Sequence, residues 1–445
     1  MEMTMKDRML NESPARLLGL IALPAIIGMM VIGLYPLIDG IYAGHLIGEK
    51  AMAAMSAALP ITLLNNGIAT LIGVGSSSIL SRAIGRGESK KIEQIMGNLI
   101  CWIFVFSLVT TLVGFFFADR FFGLLGAPEE LMVLGGRYLR ILFLGSFFVN
   151  FAYSANMLMR GEGEMKKAML FMVFGAFVNI ILDPIFMIQM GDRAIEGAAI
   201  ATVIAQILQA LITYLYFRKK SQVVRIGRIG ISKLISPEMF SIGFSGMLMQ
   251  VLSLVQQSLL YGMAFQYGGE KHGILMAASL RIYSFSFLPL WGLAQGLQPI
   301  VGTNFGAQKY ERVRESFKLF CIVGTVIAAI FWIPIQIAPQ FMMRLFNVSP
   351  ELISLGVPFF RYFYIPFICY GYMILVLTFF QSIGRAKAAG LMVMGRQIIF
   401  FVPVILIFVR LVGILGVWIS VPVADAFVIL LSFVYLSKLM KELKV

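Results

Sequence analysis

The chain has 445 residues, of which 59% are hydrophobic and 13% are charged, and its mean hydropathy is +0.89. Ordinary soluble domains carry about 25% charged residues, so this composition excludes a typical soluble protein. Apolar runs of roughly 20 residues, the length that crosses a bilayer, recur along the chain. They exceed the ~10-residue alternating segments of an outer-membrane barrel. The composition therefore predicts an all-α integral membrane protein.

The apolar runs, taken between charged, proline or glycine breaks, predict twelve transmembrane helices. In chain order they lie near residues 14–42, 52–80, 92–117, 132–158, 167–190, 195–217, 238–264, 274–303, 316–338, 353–380, 389–410 and 414–438. The N-terminal stretch lacks a small-residue cleavage site after a short apolar core, so we expect no cleaved signal peptide.

The net charge of +14 is distributed unevenly between the loops. Lys and Arg crowd every second loop, and the loops between them carry few. Because cytoplasmic loops of membrane proteins are enriched in Lys and Arg, this pattern predicts a multi-pass protein of the cell membrane with both termini in the cytoplasm. The basic residues are explained by membrane topology, and we expect the lipid bilayer rather than nucleic acid as a partner.

Cysteine and histidine give no indication of a disulfide framework or a metal centre. The three cysteines fall within predicted spans and the two histidines at predicted outer loops: Cys101, Cys321, Cys369, His45 and His272. No cluster has the spacing of metal ligands. We therefore expect no cofactor and no metalloenzyme.

The chain contains an internal repeat. Residues 73–91 align with residues 294–312 at a shift of 221 residues, which pairs Gly85 with Gly306. Each copy holds six predicted spans, an even number, so both copies have the same orientation. The sequence thus predicts two pseudo-symmetric six-helix lobes related by a two-fold axis along the membrane normal. The predicted domains are an N-terminal lobe, a cytoplasmic linker and a C-terminal lobe, at residues 1–217, 218–237 and 238–445.

Five motifs resemble those of the multidrug and toxic compound extrusion (MATE) family. They are QPIVGTNFGA at 298–307, YPLID at 35–39, RGEG at 160–163, NIILDP at 179–184 and GVW at 416–418. The NIILDP run is most similar to the bacterial DinF-like branch. The resemblance implies a twelve-helix, two-lobe antiporter that exports organic cations in exchange for H⁺ or Na⁺.

Three acidic residues lie inside predicted spans, where an ionised carboxylate costs about 2.5–3.5 kcal/mol on insertion scales: Asp39, Asp183 and Asp425. Asp39 and Asp183 are both placed in the outer half of the membrane. Asn179 lies one helical turn before Asp183 on the same face, and Thr202 lies at a similar depth. Such an oxygen-rich cluster suits a hard cation such as Na⁺, and a buried carboxylate pair suits a proton equally well.

The resemblance implies a coupling-ion site at five residues of the N-terminal lobe: Asp39, Asn156, Asn179, Asp183 and Thr202. Counting residues from the turn near Gly163 places Asn156 closer to the cytoplasm than Asp183. Asn150 lies nearer to the expected depth of Asp183. Two structural alternatives stay open. Asp183 could stabilise a kink before Pro184, and Asp39 could be an interfacial acid at a helix end.

The second copy of the repeat lacks the two acids, with Leu260 in place of Asp39 and Val402 in place of Asp183. The sodium-driven NorM-like branch has acids in spans 7 and 10, whereas the matching spans here hold Gln256 and Gln257. The N-terminal lobe is therefore expected to be the coupling lobe. Asp425 is either a ligand for a cationic substrate or a buried, hydrogen-bonded acid.

The first span contains Pro24 and Pro36, which predict a bent helix whose bend responds to the charge state of Asp39. Flexible apolar side chains close to Asp39 suit a promiscuous pocket. Candidate substrate-binding residues are these side chains and two polar residues of the second lobe: Tyr35, Met29, Met30, Gln256 and Asp425.

The combined prediction is a secondary active multidrug efflux transporter, not an enzyme, that acts as a monomer and exports small organic cations. H⁺ or Na⁺ is the coupling ion, and Na⁺ at the N-lobe site is the only metal ion expected. The alternative is a lipid-linked oligosaccharide or polysaccharide flippase of the same superfamily. It would need a cationic cleft, for which Arg281 and Arg396 are the main mid-span candidates. A channel would need no ion-coupled carboxylate, and a membrane enzyme would need a nucleophile–base or metal constellation that the sequence lacks.

Overall fold

The computed structural model describes residues 3–124, 129–346 and 348–442, with side chains except at positions 36, 37, 39–41, 43, 44, 49, 124 and 130. Within these ranges all regular structure is helical. The helices are α1 (Met5–Asn11), α2 (Pro14–Leu17), α3 (Leu23–Leu46), α4 (Glu49–Arg86), α5 (Ser89–Leu124), α6 (Glu129–Leu144), α7 (Ser146–Gly161), α8 (Met165–Met190), α9 (Ala194–Lys219), α10 (Ser236–Gly306), α11 (Tyr310–Ile337), α12 (Pro339–Leu345), α13 (Pro350–Tyr364), α14 (Tyr370–Ser382), α15 (Ala386–Met394), α16 (Phe401–Val412) and α17 (Ile414–Glu442).

The number of membrane spans agrees with the sequence prediction. Among the described residues, nine continuous helical stretches are long and apolar enough to cross a membrane, and α6 with α7, bent by 57°, supplies a tenth. Two of the nine contain a chain reversal, at Gly191 between α8 and α9 and at Gly269 within α10. Both glycines have positive φ, 51° and 66°, a conformation that costs a glycine little. Counting each arm separately gives twelve spans.

Several spans are interrupted where the sequence places proline or glycine. A π-helical turn, Leu18–Ala22, directly precedes Pro24 and joins α2 to α3. A 3₁₀ segment, Ile365–Cys369, contains Pro366 and joins α13 to α14. A proline removes one backbone donor and crowds the preceding turn, so the chain widens or tightens locally. The structure has a π-helical turn next to Pro24, and α3 continues as helix through residue 36, whose side chain lies outside the described part. The bend of the first span at Pro24 and Pro36 stays a prediction.

Two groups of helices pack mainly within themselves, α2 to α9 and α10 to α17. We call them the N-lobe and the C-lobe. The segment 220–235 between them is not helical. It lies on the N-lobe, where the side-chain carbonyl oxygen of Asn98 accepts hydrogen bonds from the Ser232 N–H and the Ser236 hydroxyl, both at 2.8 Å.

The lobes are in close contact where α4 and α10 end beside the basic loops. We call this end of the protein the basic end. A Cβ added to Gly85 would overlap the carbonyl oxygen of Thr303, and one added to Gly306 would overlap that of Arg82. Gly85 and Gly306 are repeat partners at the 221-residue shift, and so are Arg82 and Thr303. A reciprocal contact of this kind is what a two-fold axis between the lobes requires. In this conformation the lobes are closed at the basic end.

Polar contacts reinforce the closure at the basic end. Arg82 Nη1 lies 2.7 Å from the Glu238 carboxylate of the C-lobe, and the Ser78 hydroxyl donates to the carbonyl oxygen of Gln381 at 2.5 Å. The N-terminal helix α1 also docks on the C-lobe, since Asn304 Nδ2 donates to the carbonyl oxygen of Met9 at 3.0 Å. Asn304, part of the NFGA motif, therefore ties the chain's N-terminal helix to the end of α10.

We expect Gly306→Ala to favour conformations that are open at the basic end. The new methyl group would overlap the Arg82 carbonyl, and overpacking of this kind costs about 1–3 kcal/mol. Spin labels at positions 90 and 387, both exposed and on different lobes, would report a longer distance in the variant. The matched control is Gly390→Ala, since a Cβ there meets no atom within 4 Å. Identical distance distributions in the two variants would contradict the prediction.

The loop between α7 and α8 fixes the start of the 220–235 segment through Glu162. Its carboxylate accepts hydrogen bonds from the Ser221 hydroxyl at 2.6 Å, the Val224 N–H at 2.9 Å and the Tyr216 hydroxyl at 2.9 Å. Burial raises the pKa of Glu162 from its ordinary value of 4.5 to about 7, against the effect of these hydrogen bonds. The nearby Glu164 raises this pKa further.

We expect the stability of the protein to fall as the pH rises from the unfolded pKa of Glu162, 4.5, to its folded pKa of about 7, because the folded state favours the protonated acid. The contribution is fully present below the lower value. Its loss, on the order of 3 kcal/mol, is complete above the higher one. Thermal unfolding in detergent between roughly pH 5 and 8.5, a range that includes the folded pKa, should show this slope. Glu162→Gln should flatten the profile, whereas Glu164→Gln should preserve it. Parallel profiles for wild type and Glu162→Gln would refute the assignment.

Candidate functional site

Asp183 lies inside the N-lobe, on α8 and directly before Pro184. It is 1% exposed, and Asn179, one turn earlier, is 3% exposed. Asn179 Nδ2 donates to Asp183 Oδ1 at 2.7 Å and lies 3.5 Å from the hydroxyl oxygen of Thr202 on α9. The Thr202 hydroxyl donates to the carbonyl oxygen of Ala198. Three of the five predicted coupling residues are therefore in one cluster, as the spacing on α8 indicated.

The amide oxygen of Asn179 is a further feature of this cluster. It is buried and has no hydrogen-bond partner among the described residues. Amide, hydroxyl and carboxylate oxygens are the ligands that hard cations prefer, and a buried carboxylate also favours binding a proton. The cluster is chemically suited to either ion.

The other predicted acid, Asp39, belongs to α3, but its side chain lies outside the described part of the structure. The helix itself packs against α8, since a Cβ on Gly28 would lie 2.5 Å from the Met169 sulfur. Of the apolar candidates near Asp39, Tyr35 and Met30 are half-buried. Met29 Sδ accepts from Gln295 Nε2 of the C-lobe at 3.6 Å, which places this residue at the contact between the lobes.

Asn156 has a different set of contacts from Asp183. Its Nδ2 donates to the carbonyl oxygen of Ala168 at 2.6 Å, and its Oδ1 accepts from Arg160 Nε at 3.0 Å. Arg160 is buried, and its Nη1 donates to Gln295 Oε1 across the lobe interface. Asn156 therefore orients an arginine that bridges the lobes, and its predicted role as an ion ligand stays a prediction.

Asn150, the residue that fitted the expected depth better, is also hydrogen-bonded elsewhere. Its Nδ2 donates to Asn65 Oδ1 at 3.1 Å and to the Ser107 hydroxyl oxygen at 3.0 Å. These partners lie on α4 and α5, so Asn150 links three helices of the N-lobe.

In the C-lobe, Asp425 is fully buried on α17 and forms an ion pair with Arg396. Arg396 Nε lies 2.9 Å from Asp425 Oδ1, and the Tyr370 hydroxyl donates to Asp425 Oδ2. Arg396 Nη2 donates to the hydroxyl oxygen of Tyr283 at 2.7 Å, and its guanidinium carbon lies 5.0 Å from the centre of the Tyr370 ring. Of the two alternatives for Asp425, the geometry favours the buried, hydrogen-bonded acid.

The positions that replace the N-lobe acids are apolar in the structure as well. Leu260 is buried and Val402 is half-buried. Gln256, a substrate candidate, lines a C-lobe cavity of about 230 Å³ together with Arg396 and Tyr283. The two lobes share a backbone arrangement but differ in the surroundings of their acids, because Asp183 accepts from an amide whereas Asp425 pairs with a cation.

Sequence reasoning assigned no functional role to Arg160, although it belongs to the RGEG motif, and it did not single out Tyr283 or Tyr370. The ion pair between Arg396 and Asp425 could have been predicted from the sequence. Both residues lie within predicted spans and carry opposite charges, and charges inside a membrane usually pair with each other. Tyr370 and Tyr283 gave no such signal, because tyrosines are common in spans. The role of Arg160 was hidden because a basic residue beside a loop is also what membrane topology produces.

Comparison with known proteins identifies the family. The MatE family model matches residues 24–185 and again residues 244–407, so the two matches reproduce the internal repeat. The multidrug export protein MepA of Staphylococcus aureus is 27% identical over 414 residues, 91% of this chain and 89% of MepA.

Two solved structures extend the similarity to the whole fold. The MATE multidrug transporter DinF-BH, solved as a complex, is 30% identical with a TM-score of 0.88, and 97% of each chain is covered. A MATE protein in complex with MaD3S is 25% identical with a TM-score of 0.91 over 98% of each chain. Together with the twelve spans and two lobes described above, these matches show that the chain belongs to the MatE family of membrane transporters.

Proposed function

We propose that the protein is a secondary active multidrug efflux transporter that exports organic cations in exchange for H⁺ or Na⁺. Support comes from the relatives, MepA being a multidrug export protein and DinF-BH a multidrug transporter. The observation that carries the proposal is the burial of Asp183, which is 1% exposed in an apolar span of the N-lobe. The matching position of the C-lobe is Val402. We further propose that both termini and the basic end face the cytoplasm.

Transport begins with the cation held by the ionised carboxylates of Asp183 and Asp39. Each is costly to leave ionised and bare in the membrane, so an organic cation stabilises it when the cleft opens at the basic end. The lobes then close at that end, in the conformation held by Gly85 and Gly306. The cleft is now accessible from the opposite side.

Release follows when the coupling ion displaces the substrate. A proton on Asp183, or Na⁺ among the oxygens of Asp183, Asn179 and Thr202, removes the counter-charge that held the organic cation. The ion must bind the two conformations with different affinity, because a ligand with equal affinity for both shifts no equilibrium. The π-helical turn before Pro24 is the point where the first span can change its bend as the charge near α3 changes.

The flippase alternative is disfavoured by the charges that the structure places in the C-lobe. A lipid pyrophosphate would need uncompensated cations in the cleft. Arg396 is paired with Asp425 at 2.9 Å, and Arg281 is exposed. Neither of these two arginines supplies a free, buried positive charge. The buried Arg160 at the lobe interface is held by the side-chain oxygens of Asn156 and Gln295, and the relatives MepA and DinF-BH are multidrug transporters.

We expect Asp183→Asn to reduce ion-driven efflux of the fluorescent cation rhodamine 6G from reconstituted vesicles to near background, because an amide cannot exchange a proton or hold the cation's charge. Asp39→Asn should have the same effect. Wild type is assayed under a pH gradient or a sodium gradient alone, and the gradient that drives it identifies the coupling ion. Asp192→Asn, which alters an exposed carboxylate at the end of α8, is the matched control. Normal efflux by both variants, at protein levels equal to wild type, would disprove the coupling role.

A further inference from the structure

The C-lobe cavity is a second polar site that the coupling mechanism does not use. It measures about 230 Å³ and is lined by side chains from α10, α13, α17 and the π-helical turn before α16, among them Gln256, Tyr283, Phe287, Arg396 and Gln397. Complete pockets for drug-sized ligands are about 300–1,000 Å³. The cavity is therefore large enough for one aromatic portion of such a molecule.

Two buried amide groups that line this cavity have unsatisfied atoms. Gln256 is 9% exposed and its Nε2 has no hydrogen-bond partner among the described residues. Gln397 is 2% exposed, and its Oε1 also has none within the described part of the chain, although its Nε2 donates to the carbonyl oxygen of Met249 at 3.2 Å. An unsatisfied buried polar group costs about 1–3 kcal/mol. Both side chains line the cavity, so one donor and one acceptor without partners among the described residues lie beside it.

The charges beside the cavity compensate one another. Arg396 pairs with Asp425, whose second carboxylate oxygen accepts from Tyr370, so this pair adds no net charge to the wall. A buried wall without net charge disfavours an isolated ion and favours a neutral group that forms hydrogen bonds.

Three of the other lining side chains are aromatic: Tyr283, Phe287 and Phe363. The rings of Tyr283 and Phe287 are 5.9 Å apart and inclined by only 16°, which presents two near-parallel aromatic faces one turn apart on α10. Flat aromatic ligands pack well against such faces.

We propose that the C-lobe cavity is a binding subsite for the neutral, planar aromatic portion of a transported molecule. A carbonyl of the ligand accepts from Gln256 Nε2, and an N–H of the ligand donates to Gln397 Oε1. This inference rests on the proposed function and deepens it, because it assigns the neutral aromatic portion of a substrate to the C-lobe.

The probe is lumichrome, a neutral, fluorescent, fused three-ring compound with adjacent carbonyl and N–H groups. Its 1,3-dimethyl derivative keeps the rings and carbonyls but has no N–H on those nitrogens. Fluorescence titration of the purified protein in detergent, without any ion gradient, should give at least about tenfold tighter binding of lumichrome, since about 1.4 kcal/mol corresponds to tenfold. Equal affinity for the two compounds would overturn the proposal.

The residues are tested with near-isosteric apolar substitutions that leave the Arg396–Asp425 pair intact. Gln397→Met should abolish the preference for lumichrome over its dimethyl derivative. Gln256→Met should weaken the binding of both compounds, because both carry the carbonyl group. Gln209→Met, at a buried glutamine of the N-lobe, is the matched control and should bind as wild type does. A preference that survives Gln397→Met would overturn the assignment.

The two proposals can fail separately. Efflux of rhodamine 6G that depends on Asp183, combined with equal binding of the two lumichromes, would refute the subsite and leave the transport function standing. Selective lumichrome binding that is lost in Gln397→Met, with efflux independent of Asp183 and Asp39, would refute the coupling site and support the subsite.

Discussion

The free energy of placing charge inside a bilayer governs the arrangement of this protein. An ionised side chain in a span is costly unless neighbouring groups compensate it. The two lobes solve this problem differently. In the C-lobe, Arg396 and two tyrosine hydroxyls form a fixed neutral network around Asp425. In the N-lobe, the Asn179 amide donates to Asp183.

These different surroundings suit the different roles that we propose for the two acids. Removing one member of a buried ion pair leaves an uncompensated charge and typically costs about 3–5 kcal/mol, so replacing either Asp425 or Arg396 alone is expected to destabilise the protein. In the proposed mechanism, a cation that reaches Asp183 stabilises its ionised carboxylate. On the two proposals made above, the duplicated fold provides two similar interiors, one for ion and cation exchange and the other for neutral polar groups.

The contact between the lobes connects these interiors to the two sides of the membrane. At Gly85 and Gly306 the backbones approach so closely that no side chain fits, and Arg160 reaches from the N-lobe to Gln295 of the C-lobe. Close packing of this kind is bistable rather than continuously deformable. The lobes are therefore expected to separate as rigid bodies, with the interruptions near Pro24 and Pro366 taking up local changes.

The sequence by itself determined the membrane-spanning class, the twelve spans, the repeat and the cluster of Asn179 with Asp183, because apolar length, a fixed shift and helical periodicity are local properties of the chain. Thr202 was also placed correctly, since depth along neighbouring spans can be counted from the loops. Only the tertiary structure decided that Asn156 binds Arg160, that Asp425 pairs with Arg396 and Tyr370, and that the lobes touch through Gly85 and Gly306. Those partners are distant in sequence, and which of them meet depends on how twelve helices rotate and pack, a property that no single helix encodes.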